Sequence, residues 1–194
     1  MDIYRDWSYL TPRERHIMSN HVMLDLETLA LDQRAVIISI GLVLFNEHKI
    51  LDTLYIEVDK NDQPQRTQDP VVLDWWNKQS DEAKQVLNSK YAVSPLVAID
   101  IINGFLVKND ICKDSLRVWG NGSDFDNVIL NDFFNDYNAI SWQFRNNRCF
   151  RTIKSMFEVD EPKRKGLHHN ALDDAIHQVE HLQKILNDYC IPLR

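Results

Sequence analysis

Apolar and polar positions alternate along this chain in two rhythms, a strand-like one first and a mixed one later. Residues 21–26 open as an apolar run and predict a first strand. After a polar loop, residues 35–45 are too apolar and β-branched for a surface strand and predict a buried one. Residues 50–58 follow the turn-like 46–49 and predict a third, so short connections imply an antiparallel meander. Asp69 then Pro70 mark a helix start over 70–79, Ser80 starts another to about 87, and Ser94 caps a third over 95–108. Residues 116–120 predict a brief strand, stopped by Gly-Asn-Gly. A helix over 123–137, a short strand around 139–142, a helix over 147–157 and a last helix over 170–189 complete the pattern. This order predicts one α/β domain, with a mixed sheet of three antiparallel strands plus two further strands and helices on its faces. Residues 1–20 read as an N-terminal extension, with a helix start at Thr11-Pro12, and 21–194 as the single domain.

Composition narrows the setting. The 194 residues suffice for one sizeable core, and 44% hydrophobic with 26% charged is ordinary for a globule. No apolar run approaches the ~20 residues that cross a bilayer, so no membrane partner is expected. The first residues lack the apolar centre of a secretion signal. Cys112, Cys149 and Cys190 are odd in number and without metal-ligand spacing, which fits a reducing cytoplasm. A net charge of −7 argues against a protein that coats polyanions non-specifically. It leaves a nucleic-acid enzyme open, because bound cations offset carboxylates in a site.

The chemistry sits where the apolar pattern breaks. Asp25 and Glu27, two apart on a strand, emerge on one face. Paired acids there are either a solvated strand edge or ligands of a hard divalent cation, since burying them unpaired is costly. Asp124 and Asp126 compete in the next acidic stretch: Asp124 beside Ser123 suits capping, whereas Asp126 follows the aromatic Phe125. In the last helix Asn170 is a natural cap and Asp173 its capping-box partner. On a helical wheel Asp174 falls nearer the apolar stripe of Leu172, Ala175, Ile176, Val179, Leu182 and Leu186, and Asp173 nearer solvent. The loop before the cap leaves His169 free to hang over whatever Asp174 binds.

Asp25-Leu26-Glu27, Phe125-Asp126 and His169-x-Ala171-Leu172-x-Asp174 together resemble the three motifs of the DEDDh 3′–5′ exonucleases, which have a ribonuclease H-like fold. The Ala171-Leu172 pair selects His169 and Asp174 over the equally spaced His168 and Asp173. Trp75-Trp76-x-x-Gln79-Ser80 and Arg148-x-x-Arg151-Thr152 resemble the phage exonuclease A (DexA-like) and mycobacterial-type exoribonuclease branch. The chain departs from it at Cys149, where an acid is common, and from many members of the wider family at Ser39, where Glu is common.

The resemblance implies hydrolysis of single-stranded nucleic acid or 3′ overhangs to nucleoside 5′-monophosphates by a two-metal mechanism. Two divalent cations, Mg²⁺ or Mn²⁺, are its cofactors. Asp25, Glu27 and Asp174 would hold one, Asp25 and Asp126 the other, and His169 would be the general base. Thr28 and Leu29 resemble positions that contact the terminal nucleotide, with plain packing the other reading of Leu29. Trp75 and Trp76 lie ~100° apart on one helix, so at most one faces a groove and burial of both is the simpler reading; Trp75 is the candidate for base contact. Arg145, Arg148, Arg151 and Lys154 form a stripe at near one-turn spacing. With Lys163-Arg164-Lys165 they are the concentrated positive charge, either solvated or in contact with phosphate, Arg148 and Arg151 foremost. Related exonucleases point to a homodimer. RNA against DNA stays open, since no residue maps to a 2′-hydroxyl. The rival reading is a nucleic-acid-binding or scaffold protein that keeps the fold without turnover.

Overall fold

The computed structural model describes residues 20–193; the expected helix start at Thr11-Pro12 and all of the extension but its last residue lie outside them. Five strands form one sheet in the order β3-β2-β1-β4-β5. They are β1 (His21–Thr28), β2 (Ile37–Phe45), β3 (Ile50–Glu57), β4 (Arg117–Gly120) and β5 (Asn147–Cys149). The first three pair antiparallel, as their short connections require. β4 then joins β1 in parallel and β5 joins β4 in parallel, each after a helical crossover. The helices are α1 (Pro70–Asn77), α2 (Asp81–Lys84), α3 (Pro95–Lys108), α4 (Asp126–Asp136), α5 (Phe150–Met156) and α6 (Ala171–Asp188).

Strand alternation divides the core between the two faces of the sheet. Val22, Leu24 and Leu26 of β1 join Ile40, Leu42 and Leu44 of β2 beneath α3 and α4, which contribute Ile102, Phe105, Leu130 and Phe133. Met23, Val43 and Phe45 face the other way, against Ala175, Val179, Leu182 and Ile185 of α6 and Phe150 of α5. A third cluster, with Val72 and Trp76 of α1, closes over the β1–β2 connection. α4 is locked in place from below by charge. The Arg66 side chain is wholly buried, and it and Arg34 both pair with Asp132 and Asp136. Arg66 Nε also donates to the Ala35 carbonyl at 2.8 Å.

Three predicted elements are corrected. Residues 139–142 form no strand: their apolar signal is Trp142, buried against Phe134 at 6.5 Å, while Ile140 is exposed. The strand lies instead at Asn147–Cys149, the beginning of the expected 147–157 helix. Asn147 Oδ1 accepts there from the Trp142 indole at 2.7 Å and from Asn127 at 3.2 Å. The basic stripe is therefore not one helix: Arg145 is on a 3-10 turn, Arg148 on β5, and only Arg151 and Lys154 on α5. The helix expected over 123–137 begins later, at Asp126, which leaves Asp124 exposed outside it.

Candidate active site

The sheet delivers its acids where packing hands over to polar chemistry. Met23 is core, but the next two side chains on that face of β1 are Asp25 and Glu27, and the start of α6 lies across them. Asp25 pairs with Gly41 of β2. A Cβ at Gly41 would fall 2.2 Å from the Ala171 carbonyl oxygen, so only glycine lets the first turn of α6 rest on the sheet. Asn170 caps that turn, accepting from Leu172 N and Asp173 N at 3.1 Å each. Asp173 does not complete a capping box; it turns back to accept from Leu167 N at 2.7 Å and fixes the preceding loop. Asp174 is thus the acid aimed at the strand.

Asp126 arrives from the opposite side by the same device. β4 pairs with β1 only as far as Met23, which leaves the Leu26 amide without a strand partner, and Asp126 Oδ1 accepts from it at 3.2 Å. A Cβ at Gly120 would meet the buried Asn127 amide, Oδ1 at 2.3 Å, so glycine leaves room for that side chain where β4 runs toward α4. Asp25, Glu27, Asp126, Asp174 and His169 consequently line one cavity of about 340 Å³.

The acids are held against their electrostatic preference. Burial, reinforced by the charges of Asp126, Glu27 and Asp174, raises Asp25 well above the usual carboxylate range. Burial, then Asp174 and Asp126, pushes Glu27 up to about 8. Burial pushes Asp126 up to about 7, against the Leu26 amide, which favours its ionised form. Such a cluster calls for cations. Oxygens of Glu27 and Asp174 and a ring nitrogen of His169 all lie within 4.8 Å of one another. Carboxylate oxygens suit Mg²⁺ or Mn²⁺, so the acids present fit the divalent ions that the sequence implies, with the imidazole beside them rather than in the ligand set.

His169 adopts φ 62°, the left-handed region that non-glycine residues rarely enter. Its amide donates to Asp174 Oδ2 at 3.0 Å, which holds this conformation in place. The Arg164 guanidinium donates to the other oxygen, Asp174 Oδ1. Burial lowers the His169 ring below its usual pKa, partly offset by Asp174. The ring lies 4.8 Å from that of Trp75, edge to face. Trp75 is 41% exposed, which corrects the expectation that both tryptophans are buried. Trp76 alone is buried, its indole donating to the Thr28 carbonyl at 2.9 Å.

The remaining predicted contacts divide. Arg151 stands beside the site: its guanidinium donates to Asn121 O at 2.6 Å and its charge acts on Asp126. Arg148 does not. Placed on β5 opposite Trp119, it lies at the other end of the sheet, where its charge and that of Arg117 act on His21. Leu29 is fully buried among Val36, Ile38 and Trp76, so packing accounts for it. Thr28 is buried with its hydroxyl on Ala30 O at 2.8 Å. Two site contacts escape sequence reasoning, Arg164 on Asp174 and Gln178 on Asp25. The signal for Gln178 was its place one helical turn after Asp174.

Comparison with known proteins agrees with this geometry. The nuclease domain of 3′hExo, a DEDDh family member solved bound to rAMP, matches with TM-score 0.59 and 18% identity over 89% of this chain and 94% of that one. Cell-death related nuclease 4 (CRN-4) matches with TM-score 0.63 and 16% identity over 87% of this chain and 64% of that one. The metal-free E. coli ExoI–ssDNA complex matches with TM-score 0.59 and 11% identity over 86% of this chain and 39% of that one. At such identities the likeness is one of fold, a ribonuclease H-like mixed sheet. No curated protein sequence matches the chain. A family model for the 3′-5′ exoribonuclease Rv2179c-like domain matches residues 20–186, nearly the whole described chain. The chain therefore belongs to the Rv2179c-like 3′–5′ exoribonuclease domain family, and it is an enzyme, a 3′–5′ exonuclease.

Proposed function

We propose that this exonuclease removes residues one at a time from the free 3′ end of single-stranded nucleic acid, as nucleoside 5′-monophosphates, with two divalent cations and His169 as general base. The observation that carries the reading is the convergence of four carboxylates from three separate elements on one cavity beside an imidazole. Glu27 and Asp126 are buried, Asp25 and Asp174 half-buried, and among the described residues only Asp174 is ion-paired, with Arg164. Asp25, Glu27 and Asp174 would hold one Mg²⁺ or Mn²⁺, and Asp25 with Asp126 the other. When bound, these ions neutralise the scissile phosphate and acidify the attacking water.

The chain's own residues supply the rest. The His169 ring, kept neutral at physiological pH by its burial, takes the proton of the attacking water at a ring nitrogen. The His169–Asp174 bond, an amide on a carboxylate, ties the base to the same turn as a cation ligand, so both are positioned together. Trp75 offers a half-exposed indole next to that base, a surface on which the terminal base can stack with little sequence preference. Arg151, beside Asp126, is placed to meet a backbone phosphate. Three free cysteines fit work in the reducing cytoplasm.

A 3′-labelled single strand, as RNA and as matched DNA, tests the proposal. Release of labelled nucleoside 5′-monophosphate with Mg²⁺ or Mn²⁺, abolished by EDTA and by Asp25→Ala, is the expected result. Internal cleavage, 3′-phosphate products or release that persists in EDTA would overturn it.

A further inference from the structure

Gln178 lies on α6 one turn beyond Asp174, and helical side chains lean toward the N-terminus, so it reaches back over the acid cluster. Its Nε2 donates to Asp25 Oδ1 at 2.7 Å. Its Oε1 is buried and has no hydrogen-bond partner among the described residues. The residue is only 6% exposed and lines the acid-bearing cavity. A buried amide oxygen left unpaired costs about 1–3 kcal/mol, which a protein has no reason to retain for packing alone. This orientation is the one a cation ligand needs: an Asp25 carboxylate bound to a cation only accepts, so the amide must present Nε2 to it, not Oε1.

We propose that Gln178 is a positioning residue for the cation centre. Its amide N–H fixes the plane of the Asp25 carboxylate, and its spare carbonyl oxygen accepts a hydrogen bond from water that enters the cavity with the cation. The inference rests on the proposed role of Asp25 as a ligand shared by both cations. Asp25 offers about four lone-pair sites, and the amide takes one on Oδ1, leaving the others in a fixed orientation. Partners of this kind, one bond removed from the ion, typically carry ten- to hundred-fold effects on metal affinity or activity.

The test uses the full chain and Mn²⁺ alone. Gln178→Met removes donor and acceptor together at nearly constant shape, and Gln178→Leu repeats the test with a different packing. Each is compared with wild type by calorimetric Mn²⁺ titration and by thermal unfolding in EDTA. The expected result is a roughly ten- to hundred-fold loss of Mn²⁺ affinity, with the EDTA melting temperature unchanged or raised because an unpaired oxygen has gone. Unchanged affinity in both variants overturns the proposal, and so does a fall in EDTA melting temperature, which assigns Gln178 to packing. If wild type binds no Mn²⁺, the cation reading beneath the inference fails; if wild type binds and both variants bind equally, only the inference fails.

Discussion

Replacing Glu27 by glutamine is expected to stabilise the cation-free protein in alkaline solution while removing its activity. Glu27 is 8% exposed, and burial with neighbouring acids lifts its pKa from 4.5 to about 8. A carboxyl raised in this way binds more protons folded than unfolded between those two values. Stability is therefore lost as pH rises from 4.5 toward 8, and the loss is complete above 8. At ~1.36 kcal/mol per factor of ten, the full cost is about 5 kcal/mol. Part of that repulsion is shared with Asp25 and Asp126 and relaxes when either partner takes up a proton, so a gain of about 2–4 kcal/mol is expected. Urea unfolding in EDTA, at pH 5 and at pH 8.5, measures it. The Glu27→Gln protein should be the more stable by that amount at pH 8.5 and within about 1 kcal/mol of wild type at pH 5. Saturating Mg²⁺ should narrow the gap, because wild type alone keeps the full ligand set. Equal stability at pH 8.5, or a more stable wild type there, would refute the electrostatic account of the site.

Other perturbations follow from the same geometry. Gly41→Ala sets a methyl against the Ala171 carbonyl, and thermal unfolding should show a loss of about 1–3 kcal/mol together with weaker Mn²⁺ binding as the start of α6 lifts; an unchanged protein would mean the contact yields. Arg66→Met leaves Asp132 and Asp136 facing Arg34 alone, and denaturant titration should register about 3–5 kcal/mol of destabilisation. His169→Ala should slow 3′-end release by about 10²–10⁴-fold while calorimetric Mn²⁺ affinity changes little; a collapse of affinity would make the imidazole a ligand instead. Because the base must be neutral and burial lowers its pKa, the acid limb of kcat/KM in wild type should fall below pH 6.5, not above it.

The acids were legible in the sequence because chemistry and period coincide at them. Asp25 and Glu27 break an apolar strand on one face, and the wheel of the last helix separates Asp174 from Asp173, which the structure uses to hold the Gly166–Leu167 loop. The choice of Asp126 over Asp124 rests on where α4 begins, a boundary that sequence places less sharply than the element itself. The place of Arg148 is not legible because a three-residue parallel strand has too few positions to show a period, and Arg145 and Arg151 on either side of it give a near one-turn spacing that mimics a helix. Trp142 misled in the same way, as a buried aromatic reads as a strand whether or not its backbone pairs. The Gln178 contact was hidden for a different reason. Glutamine on a helix ordinarily faces solvent, and only the height of the helix above Gly41 decides that this one meets Asp25.

Cations held between the end of β1 and the starts of α4 and α6 are what the proposed hydrolysis requires. Anomalous diffraction from crystals soaked in Mn²⁺ tests this most directly. One peak bounded by Asp25, Glu27 and Asp174 and a second bounded by Asp25 and Asp126 are the predicted result, and both should vanish in Asp25→Ala crystals. Peaks confined to other parts of the molecule, or unchanged in the variant, would contradict it.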